Sequence, residues 1–158
     1  MSFFVTGANV LYVVAMALVF GGTAALSFAA APQTFKTLDA ARAGTVFGRV
    51  LRVFDKMAWV AAMTAVVAAV VRMAERVTAP SVSMLVIAAS IQILVTLLRR
   101  SLAPQMAELK PPTTEDEART WDPEKRRRFD ELHRQYVRIY AANPFLALAG
   151  LVLACLPM

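Results

Sequence analysis

The sequence predicts an all-α membrane protein: a four-transmembrane-helix bundle with cytoplasmic amphipathic helical extensions and both termini outside. The first observation is a set of runs without a charged residue, at Phe3 to Gln33, Met57 to Val71, Val77 to Leu98 and Ile139 to Met158. A helix rises about 1.5 Å per residue, so roughly 20 apolar residues cross a hydrocarbon core about 30 Å thick. The second is composition, with 58% hydrophobic and 18% charged residues, against about 45–50% and about 25% in soluble domains. Little polar chain remains to build another core, so residues 1–158 form one domain with spans at about 4–31, 55–75, 78–100 and 136–157.

The third observation is the placement of charge. The connection between the first two spans carries Lys36, Arg42, Arg49, Arg52 and Lys56, and the connection between the last two carries the series from Arg99 and Arg100 to Arg138. Only Arg72 and Arg76 lie in the remaining turn. Basic connections stay in the cytoplasm, so both termini face outward. The expected location is a bacterial cytoplasmic membrane, with the protein multi-pass within it. The net charge of +6 is therefore spent beside lipid, where it meets anionic headgroups, and does not form the single stripe of a nucleic-acid binder.

Each element has a local reason. The first run ends at Ala29-Ala30-Ala31, which imitates a signal-peptide cleavage site. No basic residue precedes it and Pro32 follows at once, so it reads as a retained helix. From Phe35 to Phe54, apolar Leu38, Val46, Val50 and Phe54 fall near helical spacing between basic residues, which predicts an amphipathic helix along the interface. The second run is the shortest, so its flanking Lys56 and Arg72 are expected to snorkel outward. Pro111 to Glu117 reads as an acidic, mobile loop. Asp122-Pro123-Glu124 is a helix start, with Asp as N-cap, Pro at the first helical position and acid in the first turn. A continuous helix is expected from Pro123 into the fourth span, bent at Pro144. Small residues recur every four positions at Gly21, Ala25 and Ala29, and again at Ala61, Ala65 and Ala69. Such faces let helix backbones approach closely, which makes the first two spans the expected tight pair.

Few side chains offer chemistry. His133 is the single histidine and Cys155 the single cysteine. The chain alone therefore offers neither two axial imidazoles for a haem nor a multi-histidine copper site, and no cofactor is expected. His133 reads as an interfacial group bonded to a helix end or a lipid phosphate. Gln92, with Ser90 and Thr96 nearby, lies mid-span, where a buried amide requires a partner on another helix or an internal water. No charged residue is expected deep within a span. Asp55, beside Lys56 at the start of the second span, is expected to pair with Arg52, Arg99 or Arg100. Arg126, Arg127 and Arg128 lie on a helix whose other face carries Phe129, Leu132 and Tyr136, so the arginines are placed to meet acidic headgroups or a partner. No nucleophile–base pair, phosphate loop or buried carboxylate pair is visible, so no enzyme is expected.

Four patterns occur in order: Phe20-Gly21-Gly22 running to Ser27 through Phe35; Ala43-Gly44 with Gly48 to Leu51; Arg99-Arg100 with Pro104; and Phe129 to His133 leading to Asn143. In that order the chain resembles the transmembrane protein 205-like family, small four-helix membrane proteins also catalogued as a domain of unknown function. The resemblance implies a four-helix bundle and a remote relationship to copper-resistance membrane domains, with no agreed activity. Pro144 directly after Asn143 departs from that pattern. Two functions are expected from these residues. The first is a non-enzymatic accessory or stabilising subunit of a larger membrane complex, for instance an energy-transducing one, with protein partners or a second copy of itself. The second is a small transporter or channel for a metal ion or neutral solute, with Gln92 at its constriction.

Overall fold

The computed structural model describes residues 3–155, and every regular element among them is helical. In chain order these are α1 (Phe3–Ala25), a π-helical turn (Leu26–Ala30), α2 (Ala31–Thr37), α3 (Ala40–Glu75), α4 (Ala79–Leu97), a second π turn (Leu98–Leu102), α5 (Ala103–Glu108), α6 (Glu115–Thr120) and α7 (Pro123–Cys155). Four helical runs are long and apolar enough to cross a membrane: Phe4–Thr37, Ala40–Glu75, Ala79–Glu108 and Pro123–Cys155. The chain is a multi-pass membrane protein.

Proline explains both π turns. Pro32 and Pro104 have no N–H for the carbonyl four residues back, and their rings crowd it. The helix widens by one residue just before each, so that Ala31 N donates to Leu26 O and Ala103 N to Leu98 O. Helical direction is kept across the interruption. Pro144 sits inside α7, which continues through it, leaving the Tyr140 carbonyl without the usual donor.

The four long helices form a ring in which α1 and α4 each pack on α3 and α7. Their inward faces follow three- and four-residue steps. α1 turns in Ala8, Tyr12, Ala15, Met16 and Val19; α4 turns in Met84, Ala88, Ile91 and Val95. α3 contributes an alanine face, Ala58, Ala61, Ala62, Ala65, Ala68 and Ala69, against which bulky neighbours fit closely. Gly150 of α7 completes the fit. A Cβ there would stand 2.8 Å from the Tyr12 hydroxyl and 3.2 Å from Met16 Sδ. A smaller second core, built on Leu98, Leu102 and Tyr136, closes the end nearest the basic connections, called here the basic end.

Four sequence expectations are corrected. Gly21 and Ala25 of α1 and Ala29 of the first π turn are exposed, and a Cβ on Gly21 would meet nothing within 4 Å. The register of α1 is set by Tyr12 and Met16, the largest side chains it buries, and the glycine in contact is Gly22, against the Phe54 ring. Phe35 to Phe54 is no separate interfacial helix. The chain breaks at Leu38 and Asp39, where the Asp39 side chain caps Arg42 N at 2.9 Å, and α3 then runs unbroken for 36 residues. Pro111 to Glu117 is only partly loop, since Thr114 caps α6. There Glu117 Oε2 accepts from Thr113 N at 2.8 Å and Thr113 Oγ1 at 2.9 Å. Those bonds hold its carboxyl below the usual carboxylate range. Finally, Arg72 does not snorkel. Its side chain turns into the bundle, only 3% of the residue is exposed, and it donates to Asn9 Oδ1.

Candidate functional site: a polar layer at the basic end

Asp55 lies about four turns into α3, beside the second core at the basic end of the bundle, and only 4% of it remains exposed. An ionisable side chain buried in a membrane bundle marks a functional site until shown otherwise. Tyr136 of α7 donates its hydroxyl to Asp55 Oδ2 at 2.7 Å, reaching across the ring to a helix its own backbone does not pack against. Among the described residues no basic group lies within ion-pair distance of Asp55. The expected pairing with Arg52, Arg99 or Arg100 is therefore corrected. Arg99 acts on Asp55 only through its field. Its guanidinium rests over the Trp59 ring, 5.5 Å from the centroid, a cation–π contact. Trp59 is itself oriented by its Nε1 donating to Thr96 Oγ1 at 3.1 Å.

Further oxygens line the interior beyond Asp55. Tyr140 stacks on Tyr136 at 6.1 Å and meets Phe54 edge-on at 6.4 Å. Its buried hydroxyl approaches Thr23 of α1 without a hydrogen bond of normal geometry. Thr23, 3% exposed, donates to Val19 O at 2.7 Å. Asn143, also 3% exposed, has its Oδ1 buried without a partner. At the opposite end, Arg72 and Asn9 lie near Tyr12, whose hydroxyl donates to Met84 O at 3.1 Å. Polar layers thus occupy both ends of an otherwise apolar core, with Asp55 and Arg72 buried near the two ends of the second span.

The side chains singled out by sequence are dispersed. Gln92 is half-buried with its Oε1 enclosed and unpartnered, while Ser90 Oγ donates back to Val86 O at 2.8 Å and serves its own helix. Ala61, Ala65 and Ala69 are buried at 7%, 0% and 0% exposure. Arg126, Arg127 and Arg128 are exposed, with Arg127 Nε 3.6 Å from Glu131 one turn on. His133 is exposed and lies flat on Phe129, ring centroids 6.0 Å apart. No group of three or more His, Cys, Asp or Glu residues among the described residues could hold a metal ion. Sequence reasoning missed Thr23 and the inward turn of Arg72, and met Asn143 only as the neighbour of a proline. The available signal was a polar residue interrupting an apolar face, as at Thr23 and Asn143.

No curated protein and no solved structure matches the chain. A family model, Domain of unknown function (DUF4149), matches residues 14–112. The match takes in the later part of the first long helix, the whole of the second and third, and Asp55, Arg72, Gln92 and Arg99, while Tyr136 and Asn143 lie outside it. With more than half of its length matched, this chain, a four-helix membrane bundle with buried polar ends, belongs to the DUF4149 family.

Proposed function

We propose that this protein works by helix packing, as a non-enzymatic accessory or stabilising subunit of a larger membrane complex. One observation carries the reading: the bundle axis is filled. Tyr12, Met16, Val19, Met84, Ile91, Val95 and Leu98 are each less than 2% exposed, and they occupy the space a solute would need. Outward, the helices carry large apolar side chains, Phe4, Phe28 and Phe145 among them, suited to lipid or to a partner's helices. The resemblance to the transmembrane protein 205-like family supports the same four-helix architecture.

The fifteen-to-two division of basic residues supports an orientation with the basic end in the cytoplasm and both termini outside. There Arg126, Arg127 and Arg128 would meet anionic headgroups or an acidic partner, each charge contributing about 1 kcal/mol near the surface. Purification in a gentle detergent tests the proposal. Stoichiometric partner subunits are expected. A lone homo-oligomer that supports substrate-dependent flux in vesicles would replace the reading with transport.

Gln92 favours that second reading, because its enclosed amide oxygen lacks a partner. If Gln92 only joins helices, Gln92→Leu leaves any cellular phenotype intact and changes stability by about 1 kcal/mol or less. Loss of phenotype in a normally folded and assembled variant would support a small transporter or channel.

A further inference from the structure

The two halves of the chain carry the same interruption. Leu26, then Ala31-Pro32-Gln33, and Leu98, then Ala103-Pro104-Gln105, share one spacing, and each forms a π turn. Inter-helix contacts fix their depth. Gly150 lies against Met16 and Ile87, Tyr140 approaches Thr23, and Tyr136 packs with Leu98 and Leu102. Both π turns therefore stand level with Tyr136, on the two helices that flank α7. Helices broken by proline at matching places in two halves are a pointer to a binding site between those halves.

Between these turns the interior holds a set of buried side-chain oxygens from α1, α3 and α7. Asp55 brings a carboxylate with one neutral hydrogen bond and no ion pair. Thr23 spends its proton on Val19 O, so it presents only lone pairs to anything else. Tyr140 Oη and Asn143 Oδ1 are buried and unpartnered. Asn143 follows Tyr140 by one helical turn on α7, and Tyr140 lies within the field of Asp55. Arg99 is the positive group acting on this layer from the second π turn, and it is held over Trp59.

We infer that the layer formed by Asp55, Thr23, Tyr140 and Asn143 binds a small monovalent cation. Hard oxygens of carboxylate, hydroxyl and amide suit an alkali or ammonium ion better than a soft metal. A single carboxylate balances one positive charge, whereas divalent sites gather more carboxylates. Tyr136 positions the carboxylate from across the ring. Beyond the layer Met16, Met84 and Ile91 close the axis, so this is a binding site and not a passage. It stands independently of the accessory role proposed above.

The test is thermal unfolding of the purified full chain in detergent, at fixed pH and ionic strength, in sodium, potassium, ammonium or N-methylglucamine chloride. At least one small cation should raise the midpoint saturably, by about 5 °C over N-methylglucamine. Asp55→Asn should lose that increment. Should Asp55→Asn fail to fold, Thr23→Val and Asn143→Leu decide, each expected to raise the half-saturating concentration about tenfold. Equal midpoints in all four salts would overturn the site. An increment kept by Asp55→Asn, or half-saturation unmoved in both other variants, would overturn its location.

Discussion

Asp55 loses its water when the bundle closes around it, and the hydroxyl of Tyr136, reaching over from α7, replaces that water at 2.7 Å. Removing a donor from a buried charge costs more than the bond itself contributes, because the charge keeps its desolvation penalty. Tyr136→Phe is accordingly expected to destabilise the bundle by about 1–3 kcal/mol, measured by denaturant unfolding in micelles. Adding Asp55→Leu should recover part of that loss, since the pair then leaves together. A double variant worse than the sum of the singles would remove Tyr136 from this role. Asp55 was legible in the sequence as a charge at the start of a span that needs a partner, and the nearby arginines were the expected ones. Its donor, 81 positions away, was not, because no local pattern links a tyrosine on one helix to an acid on another.

At the scale of the helix, long uncharged runs gave the spans but left their packing faces open. A soluble helix declares its buried side by contrast with a polar one, whereas α1 is apolar around its whole circumference and any stripe looks plausible. Volume decides instead: Tyr12 and Met16 need the space opposite Gly150, and this turns Gly21 outward. Gly21→Leu is therefore expected to change stability by no more than about 0.5 kcal/mol. Gly150→Ala should cost about 1–3 kcal/mol, because the new methyl displaces a tyrosine fixed by its bond to Met84 O. Thermal unfolding of the two variants separates them, and equal effects would contradict the assigned faces. The start of α6 responds to acid. Its Glu117 carboxyl is held low by Thr113 in the fold, so the contribution is complete above the unfolded carboxylate range and falls as pH drops through the folded value. The protection of the Thr113 amide against exchange, taken relative to its intrinsic rate at each pH, should fall on acidification, and Glu117→Gln should flatten that response.

Across the whole molecule, the number of spans and the segregation of charge were visible at once, because both are sums over many residues. Individual charges at a span's edge were not, since the same arginine can reach outward to water or inward to Asn9, and sequence does not rank the two. The orientation is open to direct measurement. Reporters fused after Arg76 and after Met158 are expected to be active outside the cytoplasm, and reporters within Pro111 to Glu117 inside it. Cytoplasmic activity from the Met158 fusion would contradict an even number of crossings.

Asp55 and Arg72 sit on one unbroken helix, seventeen residues apart, which amounts to about 25 Å along its axis. A typical hydrocarbon core measures about 30 Å, so both polar ends lie at or just within its edges. The helix thereby acts as a ruler for the lipid around it. Thickening the bilayer would draw Asp55 and Arg72 further from water, and thinning it would bring each nearer its interface. Hydrophobic mismatch costs fractions of a kcal/mol per Å, and with two buried charges the penalty falls unevenly, on the thick side. Reconstituted in lipids of graded chain length, the bundle should be most resistant to unfolding in the thinner members, and Arg72→Met should move that optimum toward thicker ones.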